Sequence, residues 1–156
     1  LRNIFKKITK KKITKKVLII NKFYKEILKK KASFAVTGIN PHCETKEKFN
    51  EEKKIIIPAI KLLKSIGLKI EGPFPADTIF LKQNLKKFDV IVGMYHDQVL
   101  TPIKTIYGFD AINITLGLPF IRISPDHGPN EKMLGKNISS PLSLIQTLNF
   151  VNKFDN

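Results

Sequence analysis

The sequence predicts an α/β protein, an open sheet with flanking helices, and three observations lead to this fold class. Short apolar, β-branched runs at 33–39 and 88–95 are typical of buried strands. Segments with helical spacing of apolar residues alternate with these runs. Polar residues collect in the loops after the predicted strands, where open α/β sheets bind their ligands. The 156 residues and 42% hydrophobic content suit one ordinary domain with a core of its own.

The first part of the chain alternates helix, strand and helix. Apolar residues recur at helical spacing over 17–28, and the run at 33–38 follows as the first strand. A second helix is predicted over 47–66. Pro58 lies inside this range, so the helix is either kinked there or begins nearer Ile57. The residues expected to face inward on the second helix are Ile56, Ala59, Ile60 and Leu63.

Glycine and proline divide the middle of the chain. Gly67 is placed as the C′ residue that ends the second helix. A short strand is predicted over 68–71, and the Gly-Pro-Phe-Pro sequence at 72–75 is interpreted as a turn. A brief helical turn is expected to open at 77–78. The next apolar run ends at Tyr95 and forms the third predicted strand.

The last third of the chain is predicted to contain two helices and a strand. A helix with a Pro-marked start covers 98–104, a strand covers 111–116, and Gly117–Pro119 forms a turn. Ser140 is placed as an N-cap with Pro141 at the first helical position. The apolar residues on one face of this last helix are Leu142, Ile145, Leu148 and Val151.

A strongly basic composition raises the possibility of a nucleic-acid partner. The chain has 28 Lys and Arg residues against 13 acids, for a net charge of +15. Only Arg2 and Arg122 are arginine, so the sequence lacks the Arg and exposed aromatic residues that base readout and strand stacking use. We interpret the lysines as solvated surface, and nucleic-acid binding is not expected.

Cysteine usage and hydropathy indicate a cytoplasmic protein. Cys43 is the single cysteine, which fits a reducing compartment. No apolar run is long enough to cross a bilayer and no signal-peptide pattern is present, so no membrane partner is expected. Cys43 is either a small apolar filler, which we favour, or a thiolate ligand beside His42.

Two histidines follow predicted strands and are the first candidates for a functional site. His96, Asp97 and Gln98 arrive together at the end of one strand, and His42 follows another. A metal or proton-transfer site would be built at such a place. The alternative is that His96 is an ordinary loop histidine with satisfied hydrogen bonds.

Arg122 and His127 are two further candidates. An arginine in a chain that otherwise uses lysine suggests that bidentate guanidinium geometry is needed for a carboxylate or phosphate. The alternative is an interior ion pair between Arg122 and Asp126. His127 either lies near the active site, with Asp126 orienting its ring, or is a turn histidine that holds the backbone.

Five motifs occur in an order and spacing that resemble one known family. They are Gly38–Glu44, Gly72–Thr78, Met94–Gln98, Asn113–Pro119 and Ser124–Gly128. Together they are similar to the carboxyl-terminal half of the 4-hydroxythreonine-4-phosphate dehydrogenase family of pyridoxal phosphate biosynthesis. The resemblance implies a partial fold like that of isocitrate and isopropylmalate dehydrogenases, without a GxGxxG loop for NAD.

The resemblance implies that residues 1–156 are the carboxyl-terminal portion of a dehydrogenase whose amino-terminal half is absent. It implies a homodimer that uses NAD and a divalent metal, zinc, magnesium or cobalt. Such an enzyme oxidises 4-phosphooxy-threonine to a β-keto acid, which decarboxylates to 3-amino-2-oxopropyl phosphate. The residues that contact NAD are not indicated by the motifs.

The site residues implied by the resemblance fall at matching positions of this sequence. His42 and His96 match two of three metal-binding histidines. Asp97 lies in a motif at the same cleft and, with Lys104, is a candidate for catalysis. The positions implied to bind the phosphorylated amino-acid substrate are Lys104, Asn113, Arg122 and Asp77.

Two other function classes stay open on the residues alone. A metal-dependent hydrolase or lyase acting on a small phosphorylated substrate could use the same His-Asp loops, and it would ignore NAD. A non-catalytic basic binding module would instead bind polyanions with a steep dependence on salt.

Overall fold

The protein is described by a computed structural model that covers residues 7–43, 50–128 and 131–153. The chain length predicts one ordinary domain, but the structure divides into two compact units. The first unit comprises Leu1–Leu100 and the second comprises Thr101–Asn156.

The first unit contains a parallel three-stranded sheet. Strand β1 (Ser33–Thr37) lies between β2 (Lys69–Phe74) and β3 (Val90–Val92), and both neighbours run parallel to it. Every residue of β1 is buried, as the apolar run predicts for a central strand. Because all three strands are parallel, their carboxyl ends lie at the same edge of the sheet.

Two helices pack with the sheet around one core. Helix α1 (Lys10–Glu26) begins after Thr9, whose hydroxyl accepts a hydrogen bond from the Lys12 amide at 3.2 Å. Helix α2 (Ile57–Ser65) is preceded by a π-helical turn over Glu52–Ile56. The core formed by these elements contains Val17, Phe34, Val36, Ile56, Ala59, Ile60, Leu63 and Ile70.

The position of Pro58 explains why the second predicted helix changes geometry. A proline is tolerated in the first turn of an α-helix because its missing N–H would have no partner there. The α-helical part, α2, has Pro58 in its first turn, but the helix itself is continuous from residue 51, so Pro58 coincides with a change from π-helical to α-helical geometry and not with the start of the helix. Gly67 ends the helix with a φ of 87°, a conformation that favours glycine. The start predicted at residue 47 lies outside the described residues.

The prediction of a turn at 72–75 is wrong, because β2 continues through Phe74. Thr37 pairs with Phe74, and the register shifts between Ala35 and Thr37 to accommodate this longer pairing. Gly72 has a φ of 133°, and a Cβ at this position would overlap the carbonyl oxygen of Val36. Glycine is therefore required by close approach of two strands rather than by a reversal of the chain.

The third strand is shorter than predicted, and the next helix begins earlier. A short helix, α3 (Lys82–Leu85), precedes strand β3, and β3 ends at Val92. Helix α4 follows the strand and runs over His96–Tyr107. The predicted start at residue 98 is wrong by two positions. Pro102 lies inside α4 instead of marking its start, and the helix is maintained at the loss of one backbone hydrogen bond.

The second unit contains an antiparallel strand pair and one helix. Strand β4 (Ile112–Thr115) pairs with β5 (Arg122–Pro125), and helix α5 (Leu142–Asn152) packs against both. The Ser143 hydroxyl donates to the Ala111 carbonyl oxygen at 2.8 Å and accepts from the Asp126 amide at 3.0 Å. This one buried hydroxyl therefore joins the start of β4 to the end of β5.

Helix α5 shows its apolar face to solvent. Its N-cap residue is Pro141, one position later than the predicted Ser140. Ser143 and Thr147 are the buried residues of the helix, so its polar face packs against the strands. The predicted apolar face exists, but its members Leu142, Ile145, Leu148 and Val151 are exposed.

The helices of the described residues were compared with the length and apolarity that a bilayer span requires. None of them meets both conditions.

Two hydrogen bonds from buried Ser33 to the exposed Asp89 carboxylate fix the amino end of β1. Asp89 Oδ2 accepts from the Ser33 amide at 2.8 Å and from the Ser33 hydroxyl at 2.6 Å. These bonds hold the pKa of the Asp89 carboxyl below its usual value. The Tyr24 hydroxyl donates to the Asp89 carbonyl oxygen at 3.0 Å, and burial, followed by the charge of Asp89, raises the pKa of Tyr24.

We expect Asp89→Ala to lower the free energy of unfolding at pH 7 by about 0.5–1.5 kcal/mol, since it removes the acceptor of two Ser33 hydrogen bonds at a position that water can partly reach. Because the pKa of Asp89 is lowered in the folded state, its contribution is present above the unfolded pKa near about 4 and is lost as pH falls below it. Urea unfolding at several pH values measures the difference. Asp77→Ala, at an exposed position, is the control and should change stability by less than about 0.5 kcal/mol. A cost for Asp89→Ala that stays constant down to pH 2 would contradict this account.

Candidate active site

Three loops with candidate residues leave the same edge of the parallel sheet. His42 follows β1, His96 follows β3 and Asp77 follows β2. The strand order β2-β1-β3 places the loop of His42 between the other two. The two candidate metal ligands therefore follow neighbouring strands, as expected for a ligand site at the carboxyl edge of an α/β sheet.

The loop that carries His42 is held by polar side chains. Asn40 Oδ1 accepts from the His42 amide at 3.0 Å, which forms a compact Asx turn across Pro41. Glu52 Oε1 accepts from the amides of Ile39 and Asn40, both at 2.8 Å. The His42 side chain is exposed, so the loop presents the imidazole to solvent while its backbone is anchored from below.

His96 is the first residue of α4 and is oriented by its neighbour. Its Nδ1 lies 2.7 Å from Asp97 Oδ1, and the two side chains are 76% and 81% exposed. Because a carboxylate accepts hydrogen bonds, this contact favours the proton on Nδ1 and leaves Nε2 with the lone pair. A carboxylate that fixes the tautomer in this way is the usual companion of a metal-binding histidine.

The donor set fits part of a metal site. No group of three or more His, Cys, Asp or Glu residues converges within residues 7–43, 50–128 and 131–153. His42 and His96 can together supply two imidazole nitrogens, and a catalytic metal needs about three protein ligands. Imidazole donors suit zinc and cobalt, whereas magnesium prefers oxygen ligands. Cys43 is half-buried and forms no disulfide, because it is the single cysteine of the chain.

In the second unit, strand pairing brings Asn113 and Arg122 to one face. Asn113 pairs with Ser124 and Thr115 pairs with Arg122, and directly paired residues share a face of the ribbon. The Arg122 Nη1 donates to Thr115 Oγ1 at 2.9 Å, and the side chains of Asn113 and Arg122 are exposed. The hydroxyl thus orients a guanidinium that remains accessible to an anion.

Lys104 binds the acid that was the alternative partner of Arg122. Its Nζ lies 3.1 Å from Asp126 Oδ2, and both side chains are half-buried. Asp126 follows β5, and Arg122 begins it, so the two Cα atoms are roughly 13 Å apart at the rise of a strand. The charge of Lys104 is thus compensated by Asp126 at one end of β5, whereas the Arg122 guanidinium at the other end has no carboxylate among its hydrogen-bond partners in the described residues.

The remaining candidates have local contacts. His127 is exposed, and its Nδ1 lies 3.3 Å from the Gly128 carbonyl oxygen, a contact expected of a turn histidine. Asp126, predicted as the residue that would orient the His127 ring, contacts Lys104 instead. Asp77 is exposed in the turn that follows β2.

Sequence reasoning missed Glu52, and it named Gln98 only as a member of the polar cluster with His96 and Asp97. Glu52 is 1% exposed, and its Oε2 is buried with no hydrogen-bond partner in the described part of the chain. A signal was present, because position 52 shares helical spacing with the inward-facing positions Ile56, Ala59 and Leu63. Gln98 is also buried, and its contacts cross from one loop to another, which no local pattern reveals.

Comparisons with known proteins agree on one family. The model of the family described as pyridoxal phosphate biosynthetic protein PdxA matches residues 1–151. The chain is 45% identical over 150 residues to the 4-hydroxythreonine-4-phosphate dehydrogenase of Sulfurihydrogenibium sp. (strain YO3AOP1), covering 95% of this chain and 46% of that protein. It is 48% identical over 120 residues to the enzyme of the same name from Bradyrhizobium diazoefficiens, covering 76% and 35%.

A solved structure shows the same similarity. A 4-hydroxythreonine-4-phosphate dehydrogenase from Klebsiella pneumoniae superposes with a TM-score of 0.82 at 29% identity, covering all of this chain and 48% of that one. The chain thus spans about half the length, or less, of the relatives it matches.

Gly93 allows α4 to begin close to β3, and replacing it should disturb the loop of His96. A Cβ at Gly93 would lie 2.5 Å from Val99 Cγ1, whereas a Cβ at Gly128 would meet nothing within 4 Å. We expect Gly93→Ala to cost about 1–3 kcal/mol of stability because of this overlap. The matched variant Gly128→Ala should cost less than about 0.5 kcal/mol. Thermal unfolding of both variants measures the difference, and equal costs would show that the strand-to-helix connection is not tightly packed.

Proposed function

The chain belongs to the family of the pyridoxal phosphate biosynthetic protein PdxA, and on that premise we propose that it is part of a 4-hydroxythreonine-4-phosphate dehydrogenase. The proposed enzyme uses NAD and a divalent metal to oxidise 4-phosphooxy-threonine. The β-keto acid that results decarboxylates to 3-amino-2-oxopropyl phosphate in pyridoxal phosphate biosynthesis. The observation that carries this proposal is the pair of exposed histidines, His42 and His96, on loops that follow adjacent parallel strands.

His42 and His96 are the proposed metal ligands of this chain. When bound, the metal would supply Lewis acidity at the substrate hydroxyl, and NAD would accept the hydride. Two imidazole donors favour zinc or cobalt over magnesium. Asp97 contributes by holding the His96 ring with the Nε2 lone pair available. Asp97 therefore acts through His96 and is a positioning residue.

Lys104, Asn113 and Arg122 are the proposed substrate-binding residues. Arg122 offers a guanidinium already oriented by Thr115, a geometry that suits the oxygens of phosphate or carboxylate. Asn113 lies on the same face of the ribbon and can fix the orientation of the ligand by hydrogen bonds. Asp77, exposed at the carboxyl edge of the sheet, can accept a hydrogen bond from the substrate amino group.

Lys104 is the proposed proton carrier as well as a cation for the substrate. Its ammonium group is held by Asp126, so its position is fixed before any ligand arrives. After the loss of carbon dioxide, the carbon that carried the carboxylate gains a proton. Lys104 Nζ is the donor that this chain offers for that proton.

The remaining parts of the site are assigned to residues outside this chain. In this proposal His42 and His96 are two of about three metal ligands, and the chain forms part of a larger isocitrate dehydrogenase-like fold. The exposed apolar face of α5, formed by Leu142, Ile145, Leu148 and Val151, is suited to cover by the rest of the protein or by a second copy in a homodimer.

Activity should depend on the missing part of the enzyme. We expect the 156-residue chain with NAD and Co²⁺ to produce no measurable NADH from 4-phosphooxy-threonine, because catalysis needs all groups in one geometry. A fusion to the part of the Sulfurihydrogenibium relative that this chain does not cover should be active. His42→Ala and His96→Ala in that fusion should each lower kcat/KM by about 100-fold or more.

Two results would contradict the proposal. NADH production by the 156-residue chain at the rate of the fusion would show that the necessary residues have been misjudged. Metal-dependent turnover of the substrate by the fusion without NAD would instead assign it to a hydrolase or lyase.

Arg122→Lys tests the substrate site. The lysine keeps the charge but loses the fork geometry and the bond to Thr115, so KM for 4-phosphooxy-threonine in the fusion should rise by about tenfold with kcat nearly unchanged. Thr115→Val keeps the guanidinium and removes the hydroxyl that orients it, and it should raise KM by a smaller factor. Steady-state kinetics of both variants measure the effect. An unchanged KM for Arg122→Lys would remove Arg122 from the substrate site.

A further inference from the structure

We propose that Gln98 is a positioning residue that fixes the spacing and direction of His42 and His96. The inference rests on the proposed function in one respect, the assignment of these histidines to a common metal. It goes beyond that function because Gln98 is buried, contacts neither histidine ring in any hydrogen bond of the structure, and acts on both loops at once.

The Gln98 side chain joins the two loops that carry the histidines. Its Nε2 donates to the carbonyl oxygen of Gly38, in the loop after β1, at 2.7 Å. Its Oε1 accepts from the amide of Met94, in the loop after β3, also at 2.7 Å. The Thr37 hydroxyl donates to the same Oε1 at 2.7 Å. One amide group therefore connects the end of one strand to the end of its neighbour.

The backbone determines the orientation of this amide. A carbonyl oxygen only accepts and a backbone amide only donates, so Gly38 requires the Nε2 and Met94 requires the Oε1 of Gln98. The side chain is 7% exposed, and water cannot easily replace a lost bond there. The position therefore requires a side chain that carries both a donor and an acceptor, and the terminal amide of glutamine provides both at the required length.

The helical position of Gln98 explains how it sets the direction of His96. Residues two apart on an α-helix point about 200° away from each other. Gln98 points into the protein, and His96 is accordingly exposed. Fixing the rotation of the first turn of α4 through Gln98 therefore fixes the side from which the His96 ring leaves the helix.

Glu52 and Asn40 hold only the loop of His42, so their loss can be compared with the loss of Gln98, which contacts both loops. Glu52 anchors the amides of Ile39 and Asn40, and Asn40 in turn anchors the amide of His42. Neither residue has a hydrogen bond to the loop of His96 among the contacts of the described residues. Loss of Asn40 should therefore disturb one histidine, whereas loss of Gln98 should disturb both.

The experiment follows the histidine ring signals by NMR in the 156-residue chain. The chain has three histidines, and His127 lies in the second unit, so its ring is an internal reference. The variants are Gln98→Met, which removes both bonding ends at nearly constant length, and Gln98→Glu, which keeps the acceptor for Met94. Asn40→Ala is the one-loop comparison. Asp89→Ala is the control, since it removes two hydrogen bonds of Ser33 at the opposite end of β1.

Each variant is then titrated with Co²⁺, and the paramagnetic shifts of the His42 and His96 rings give the dissociation constant. We expect Gln98→Met to move both rings and to weaken Co²⁺ binding by about tenfold or more, the effect typical of residues that orient metal ligands. Gln98→Glu should move the His42 ring more than the His96 ring, because it loses only the donor to Gly38. Asn40→Ala should move the His42 ring alone, and Asp89→Ala should leave Co²⁺ affinity within twofold.

Several results would overturn the inference. Folded Gln98→Met or Gln98→Glu with Co²⁺ affinity within twofold of the unchanged chain would do so, as would movement of one ring alone in Gln98→Met. If the unchanged chain shows no Co²⁺ shift at His42 and His96, the metal assignment in the proposed function is wrong. In that case the ring signals without metal decide the role of Gln98, and unmoved rings in a folded Gln98→Met overturn it.

Discussion

The parallel pairing of β1 with both of its neighbours is the constraint on which the first unit depends. Ser33–Thr37 is buried throughout and pairs on both sides, so its backbone groups are satisfied within the sheet. Parallel pairing also places the carboxyl ends of all three strands at one edge. The loops of His42 and His96 are neighbours for this reason, although more than fifty residues separate them along the chain.

Polar side chains satisfy the backbone where it leaves the sheet, and they do so at both ends of β1. Asp89 receives the amide and hydroxyl of Ser33 at the amino end. At the carboxyl end, Gln98 donates a hydrogen bond to the Gly38 carbonyl oxygen, and Glu52 accepts hydrogen bonds from the amides of Ile39 and Asn40. A buried backbone group without a hydrogen-bond partner costs about 1–3 kcal/mol. Each of these side chains therefore stabilises the backbone at the point where it enters or leaves the strand. At the carboxyl end, the same contacts also determine where the histidines are presented, so stability and the candidate site share their residues.

The parts of the fold that could be predicted from sequence are those decided locally. The buried strand at Ser33–Thr37 follows from its apolar run, and this prediction is confirmed. The change of helix geometry just before Pro58 follows from the missing N–H of proline. The turn expected at Gly72 was wrong because the sequence alone does not distinguish a glycine needed for reversal from one needed for close approach to Val36. The apolar face of α5 was correctly identified, but nothing in its spacing indicates that Ser143 and Thr147, not the leucines, pack on the strands.

The candidate site shows the same division. His42 and His96 could be found because each follows an apolar run, and Arg122 because arginine is rare in this chain. The ion pair of Lys104 with Asp126 and the bridge made by Gln98 are tertiary contacts between segments that carry no joint signal in sequence. Glu52 falls between these cases, since its helical spacing with buried residues indicated burial but not the loop that it supports.

The carboxyl edge of the sheet is proposed to present His42 and His96 to one metal ion. A crystal structure of this chain grown with Zn²⁺, with anomalous data at the zinc edge, tests it most directly. We expect a single zinc peak at this edge, about 2.0–2.1 Å from one ring nitrogen of each histidine, with Nε2 as the ligand atom of His96. Zinc bound to only one of the two rings, or rings that point away from each other with no shared peak, would contradict it.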